Sequence, residues 1–202
     1  MALKFAVNNS LSAVTTVPTA ISDNFGSMTL LQTQTASSSS TIDFTSNIDS
    51  TYDEYVFKFI NIHPATDNAE FTVGFRDGGT DYDAVKTTTQ FLSEHNEADS
   101  SASVFYSAGQ DLAQSTSFQP LSIDVGNGND ECASGTLTLF SPSSTTFVKH
   151  FICISNVYQG SNISQNGFCA GYCNTTTAID AVQFKMSSGN IDSGVIKLYG
   201  IS

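Results

Sequence analysis

Charge is scarce in this sequence, because charged side chains make up only 13% of its 202 residues, about half the share in an average soluble protein. Seven basic residues stand against nineteen acidic ones, a net charge of −12. An acidic surface without a basic track opposes contact with phosphate backbones and with anionic lipid. We therefore expect no nucleic-acid partner and no membrane partner. We interpret the acidity mainly as a source of solubility, and secondarily as a match for a basic partner surface or for cations.

Long apolar runs are also missing, and none approaches the ~18 residues of a membrane span. The first ten residues, MALKFAVNNS, lack the apolar stretch of about 7–15 residues that a secretory signal needs. We expect a protein that is made in a cytoplasm and is not exported by that route. In that setting four cysteines are expected as reduced, partly buried thiols: Cys132, Cys153, Cys169 and Cys173.

Helical periodicity is nearly absent, whereas strand patterns recur along most of the chain. In residues 51–63, TYDEYVFKFINIH, the alternation places Tyr55, Phe57 and Phe59 on one face. Other strong strand segments lie at 69–76, 133–140, 145–157, 179–188 and 194–202, and weaker ones at 28–34, 40–45, 84–92, 102–107, 117–125 and 166–173. Ten to twelve short strands separated by turn residues predict an all-β fold, an antiparallel two-sheet sandwich of the jelly-roll kind.

The last segment, GVIKLYGIS, has the pattern of a strand inside a sheet. Its alternation predicts Ile196 and Leu198 in the core, with Lys197 and Tyr199 on the other side. Residues 41–202 are expected to form the sandwich.

Residues 1–40 differ from the rest, since they are small, polar and irregular and end in the low-complexity joint TASSSS. We expect an extended N-terminal arm with at most one edge strand, used for attachment or for exchange between subunits. Scattered apolar residues favour docking over simple solvation: Leu3, Phe5, Val7, Leu11, Val14, Val17 and Ile21.

Candidate metal ligands occur at three places, and none has a diagnostic spacing. Cys169 and Cys173 are four apart in a strand-like segment, which favours two packed thiols over a structural zinc site. The loop RDGGTDYD groups Asp77, Asp81 and Asp83, and residues 126–131 read GNGNDE. Turn chemistry explains both loops without calcium, so we predict no metal ligands, with calcium at the Asp77–Asp83 loop as the alternative.

Catalytic motifs are likewise missing: the sequence has no phosphate-binding glycine loop, no dinucleotide fingerprint and no nucleophile elbow. The richest polar loop, residues 93–101, holds Glu94, His95, Glu97 and Asp99, with His95 beside Glu94 as a conceivable base and orienting acid. A solvated turn explains it equally well. His150 is expected as a hydrogen-bonded core or interface residue. We predict no catalytic and no cofactor-binding residues.

Tryptophan is absent, which removes the best stacking platform for sugar rings. Seven tyrosines remain for that role: Tyr52, Tyr55, Tyr82, Tyr106, Tyr158, Tyr172 and Tyr199.

Three phrases, IDSTYDEYVFKFINIHP, SPSSTTFVKHF and SGNIDSGVIKLYGIS, resemble small β-rich structural proteins of the virions of tailed bacteriophages, especially marine ones. The likeness spans nearly the whole chain but carries no active-site signature. It implies a non-enzymatic component on the exterior of the particle, made in the host cytoplasm. Whether a cysteine pair becomes oxidised in the mature particle stays open.

From the resemblance and the composition we expect an exposed tail component, a short fibre or adhesin that assembles as a homotrimer. Its arm would contact other virion proteins, and its loops a host receptor or glycan. The alternative is a capsid decoration protein that clamps the head lattice. A polysaccharide depolymerase is a remote third hypothesis.

Overall fold

A computed structural model describes residues 28–201, and over that range the chain contains strands, turns and bends but no helix. The strands are β1 (Thr29–Ser39), β2 (Ile42–Phe44), β3 (Glu54–Pro64), β4 (Ala69–Arg76), β5 (Lys86–Asn96), β6 (Ala102–Tyr106), β7 (Gln119–Val125), β8 (Ala133–Phe140), β9 (Lys149–Gln159), β10 (Ile163–Cys173), β11 (Ala181–Met186) and β12 (Ile191–Ile201). Each predicted strand segment overlaps one of them, and every pairing between them is antiparallel. The all-β, antiparallel prediction is confirmed.

The strands connect into one sheet that is nearly closed into a barrel-like shape. A path of eight strands runs in the order β1-β12-β3-β8-β9-β10-β5-β6, and we call it the long path. Four more strands, β7-β4-β11-β2, join it where Val125 pairs with Gln159. At the far end β2 comes back beside β1, which brings the two ends of the sheet together.

Aromatic rings from both parts of the sheet fill the core between them. Phe57 of β3 meets Phe44 of β2 with ring centroids 5.2 Å apart, and Phe71 stacks on Phe184 at 5.6 Å. Tyr55, Phe57 and Phe59 are all buried, as their alternation predicts. Apolar burial of this extent is the main force that holds the sheet closed.

The last strand, β12, lies inside the sheet, paired with β1 on one side and β3 on the other. Ile196 and Leu198 are buried, whereas Lys197 and Tyr199 are only half-buried. The prediction for this segment is confirmed.

The sheet begins at Thr29, because β1 pairs with β12 along its whole length, from Thr29 opposite Gly200 to Ser39 opposite Ile191. Strand β1 therefore lies within the expected arm of residues 1–40 and forms an edge strand of the sheet. Residues 1–27, which carry the apolar points predicted to dock, lie outside the described residues.

Candidate interaction surface

Four neighbouring strands of the long path place one apolar side chain each at the same level, on the side facing away from the core. Phe168 of β10 lies opposite Ile154 of β9 and opposite Phe91 of β5, and Phe91 lies opposite Tyr106 of β6. We call these four residues the aromatic row. Phe91 and Phe168 stack with ring centroids 5.0 Å apart and planes 19° apart. Phe91, Ile154 and Tyr106 are 46%, 49% and 53% exposed.

Two further exposed side chains widen this row, Ile152 of β9 and Val104 of β6. We call the aromatic row together with Ile152 and Val104 the outer apolar face. The opposite side of β9 buries Phe151, Cys153 and Val157. An antiparallel sheet with one solvated side normally presents polar residues there, so a contiguous apolar face on this side indicates a binding surface.

Strand β6 forms an unprotected edge of that face. Among the described residues it pairs with β5 alone, and all five of its residues are exposed, Val104 by 74%. Its sequence, ASVFY, contains no charge and no proline, and its register with β5 is regular. Proteins commonly blunt free edges with charges, prolines or bulges, so this edge is open to another strand.

An apolar groove of about 410 Å³ continues the outer apolar face toward the other end of the strands. Its outward-facing lining includes Thr89, His150, Ile152, Ala170 and Tyr172. Of the two positions expected for His150, the core is wrong and an interface stays a prediction, because His150 is exposed, with its ring 6.0 Å from that of Tyr172. The inward positions beside it belong to Lys149 and Phe151.

A second groove, of about 510 Å³, lies at the end of β5 that leads into β6, and it contains part of the predicted acidic loop. The suggested pairing of His95 with Glu94 is wrong. The Nε2 atom of His95 lies 3.0 Å from Oδ1 of Asp99, while Glu94 accepts a hydrogen bond from Gln165 at 2.8 Å. Both His95 and Asp99 are exposed, and Glu97 follows β5 on the surface. These residues match a solvated turn.

One carboxyl group near Glu94 was not singled out by the sequence pattern. Asp124 of β7 is exposed as a residue, and partial desolvation of its carboxyl group, together with the negative charge of Glu94, raises its pKa. A carboxyl group with a raised pKa beside a second carboxyl group can serve as acid and base in glycoside hydrolysis. Only the pairing of distant strands reveals this neighbourhood, because Asp124 lies thirty residues after Glu94.

The cysteines are packed thiols, as their strand spacing predicts. Cys153 lies directly opposite Cys169 on the neighbouring strand, and both are buried together with Cys173, while Cys132 is half-buried; all four are free. Burial raises the pKa of Cys169 and that of Cys173 to about 12. These groups therefore remain neutral thiols at physiological pH.

The Asp77–Asp83 loop lies beside ion pairs and hydrogen bonds of the protein itself. Arg76 donates from Nε to Oδ1 of Asp180 at 2.7 Å, and the exposed Asp81 accepts a hydrogen bond from Thr80. Over residues 28–201 no three His, Cys, Asp or Glu side chains converge closely enough to hold a metal ion. In the loop 126–131, Glu131 accepts a hydrogen bond from the Gly128 amide, which is ordinary turn chemistry.

Two buried lysines flank Cys173, a trio that the sequence did not suggest. Lys86 and Lys149 both lie opposite Cys173 on the neighbouring strands. Their Nζ atoms donate to backbone carbonyls, Lys86 to Ala84 at 2.6 Å and Lys149 to Thr175 at 3.1 Å. Burial lowers the pKa of both ammonium groups, because a charged amine is poorly solvated in the interior.

No protein-family model matches the sequence, and no curated protein matches it. Between residues 28 and 201 there is no helix long and apolar enough to cross a bilayer.

Proposed function

We propose that this protein is a non-enzymatic structural protein of a virion, an exposed tail component that acts by adhesion. The observation that carries the proposal is the outer apolar face, with Phe91, Ile154 and Tyr106 each about half exposed at one level of the sheet. Apolar side chains held in register on a sheet form a preorganised contact area, which limits the entropy lost on binding.

The sequence resemblance to virion proteins of tailed bacteriophages supports a place for this protein in a virion. In the proposed assembly the long path and the strands β7-β4-β11-β2 form the two layers of a jelly-roll-like sandwich, and three copies associate as a homotrimer. The N-terminal arm contacts other virion proteins. Surface Ser, Thr, Asn and Tyr side chains suit adaptable recognition of a host receptor or glycan.

A capsid decoration protein is the second candidate, and the net charge of −12 favours it. An acidic protein complements a basic patch on a capsid lattice, and such complementarity speeds and orients docking. In that role the outer apolar face would sit on the lattice itself.

Copy number separates these two candidates. Quantitative densitometry of purified virions, with the major capsid protein as the internal standard, is expected to give a few to some tens of copies per particle for a tail component. Hundreds of copies per particle would instead support the capsid decoration protein. Absence of the protein from washed virions would reject both.

The neighbourhood of Glu94 and Asp124 keeps a polysaccharide depolymerase as a remote candidate. A glycan-digestion assay on host surface polysaccharide tests it with the variants Glu94→Ala, Asp99→Ala and Asp124→Asn. We expect no digestion by the natural protein. Digestion that is lost in Asp124→Asn and Glu94→Ala but kept in the control Asp99→Ala would support catalysis in place of adhesion.

A further inference from the structure

We propose that residues 1–27 of the chain bind the outer apolar face of the same molecule and cover it while the protein is free. The inference concerns how this chain shields its own surface, so it stands independently of any place in a virion. Four observations support it: where the chain enters the sheet, how far it must reach, which side chains it carries, and how its charges match the face.

The chain enters the sheet at the level of the outer apolar face. Leu30, the second residue of β1, is exposed and lies opposite Tyr199. The pairings continue across the long path at this level through Val56, Thr138, Ile152, Ala170 and Thr89. Residues that precede Met28 therefore start at the same end of the strands as Ile152 and the apolar groove.

The segment is long enough to cross the whole face. Along the long path, β9 lies four strand spacings from β1, a distance of about 19 Å, and β6 lies seven strand spacings from β1, about 34 Å. Twenty-seven extended residues span up to about 90 Å. The same chain can thus reach every residue of the outer apolar face, and the tether raises its local concentration there above that of any second molecule.

The segment also has the composition that the face requires. From Phe5 to Ser22 it contains no charged residue, and Leu11, Val14, Val17 and Ile21 supply apolar contacts. Near its start Leu3, Phe5 and Val7 alternate as in a strand. That pattern suits the open edge of β6, where Val104 and Tyr106 point to the same side.

The two charges of the segment fall where the face offers the opposite sign. Lys197 and Lys58 lie opposite each other between β1 and the apolar residues, and neither forms an ion pair within residues 28–201. Asp23, five residues before Met28, is the nearest acid in the segment. At the far edge Tyr106 donates to Asp111 at 2.6 Å, and in the proposed arrangement this carboxylate is the acid that faces Lys4.

Charge favours this occupant over a second copy of the body. Residues 1–27 carry one basic and one acidic residue, so the remainder keeps six basic and eighteen acidic residues and the full −12. Two such bodies must overcome this repulsion before they can associate, whereas the segment has no net charge to oppose its approach.

A single tryptophan tests the proposal in the full-length chain, which has none of its own. Phe91→Trp places the fluorophore in the aromatic row, and Ile154→Trp gives an independent second reading. Each is combined with Leu11→Ser, Val14→Ser and Val17→Ser, or with the matched control Thr15→Ser, Thr16→Ser and Thr19→Ser. Far-UV circular dichroism confirms that each variant is folded.

When Leu11, Val14 and Val17 are changed to Ser, we expect the emission of the tryptophan in Phe91→Trp to shift to the red and its quenching by acrylamide to rise about twofold. The reason is that a covered apolar surface excludes solvent. The threonine control should change neither quantity. Phe147→Trp, which replaces a loop residue that is 72% exposed, should not respond to either segment.

Two results would overturn the proposal. Equal quenching for both segments would mean that residues 1–27 do not cover the face. Protection that appears only as protein concentration rises would mean that a second copy supplies the cover. Protection from quenching that does not depend on protein concentration, and that is lost when Leu11, Val14 and Val17 are changed to Ser, supports the proposal.

Discussion

Phe91 and Phe168 stack across β5 and β10 on the side of the sheet that faces away from the core, with ring centroids 5.0 Å apart. A cross-strand aromatic pair stabilises a sheet by about 0.2–1 kcal/mol. That stabilisation is small for two large apolar side chains left in contact with water, so a role in binding explains the pair better than a role in folding.

The double variant Phe91→Ser and Phe168→Ser is therefore expected to separate binding from stability. Its free energy of unfolding in urea should fall by only about 1 kcal/mol, whereas its incorporation into virions, measured by quantitative immunoblotting, should fall sharply. The loop variant Phe147→Ser serves as the control and should change neither. Normal incorporation of the double variant would show that the outer apolar face is not the docking surface.

A core aromatic should behave in the opposite way. Phe184 is buried and packs against Phe44, Phe57 and Phe71, so Phe184→Ala leaves a cavity and should lower the free energy of unfolding by about 3–5 kcal/mol. Denaturant titration followed by circular dichroism measures the loss. A loss near 1 kcal/mol would mean that the two parts of the sheet are not packed through this ring.

The local pattern of the sequence was sufficient to predict the strands but not the candidate site. Alternation in a segment such as 51–63 depends on neighbours two residues apart, which are visible in the sequence. The aromatic row instead takes one residue from each of four strands, from Phe91 to Phe168, and strand order is a property of tertiary pairing.

The core position, one of the two expected for His150, failed for a related reason. The alternation itself was read correctly, since His150 and Ile152 do share a face. Both faces of β9 are apolar, however, with Phe151 and Cys153 on one and Ile152 and Ile154 on the other. Apolar content alone could not indicate which face is turned inward.

We expect that residues 1–27 can be removed without loss of the fold but that residues 1–35 cannot. Deleting 1–27 leaves β1 intact and should give a folded body that no longer enters virions. Deleting 1–35 also removes Thr29–Thr35 and with them most of the pairing to β12, so that protein should unfold at a lower temperature. Equal melting temperatures for the two deletions would show that β1 adds little to the sheet, and co-purification of the 28–202 protein with virions would refute the arm's role.

The buried thiols should make stability fall in alkaline solution. The pKa of Cys169 rises from 9.0 to about 12 on burial, so the unfolded chain loses this proton first. The stabilisation is complete below pH 9.0 and is lost as pH rises from there toward 12. Urea titrations between pH 7 and 10.5 should show a steeper alkaline loss for the natural protein than for Cys169→Ala, and parallel curves would contradict the burial of this thiol.

Lys86 should have the opposite pH dependence, because burial lowers its pKa below the ordinary value of 10.5. At pH values between the lowered pKa of the native state and 10.5, the unfolded state binds more protons than the native state, so this group makes stability increase as pH rises. Among residues 28–201 no carboxylate forms an ion pair with Lys86, and its ammonium group donates to the Ala84 carbonyl. Lys86→Met keeps the length of the side chain and removes the buried charge, so we expect it to be neutral or to stabilise by about 1–2 kcal/mol at pH 7, with the difference shrinking toward pH 10.5.

Urea titrations across that range provide the measurement, and the half-buried Lys197, changed to Met, serves as the control with an effect within about 0.5 kcal/mol at every pH. A marked loss of stability in Lys86→Met at pH 7 would mean that the ammonium group is compensated by its surroundings. Asp77 and Asp83, whose charges raise the pKa of Lys86 against the effect of burial, would then be the groups that hold it.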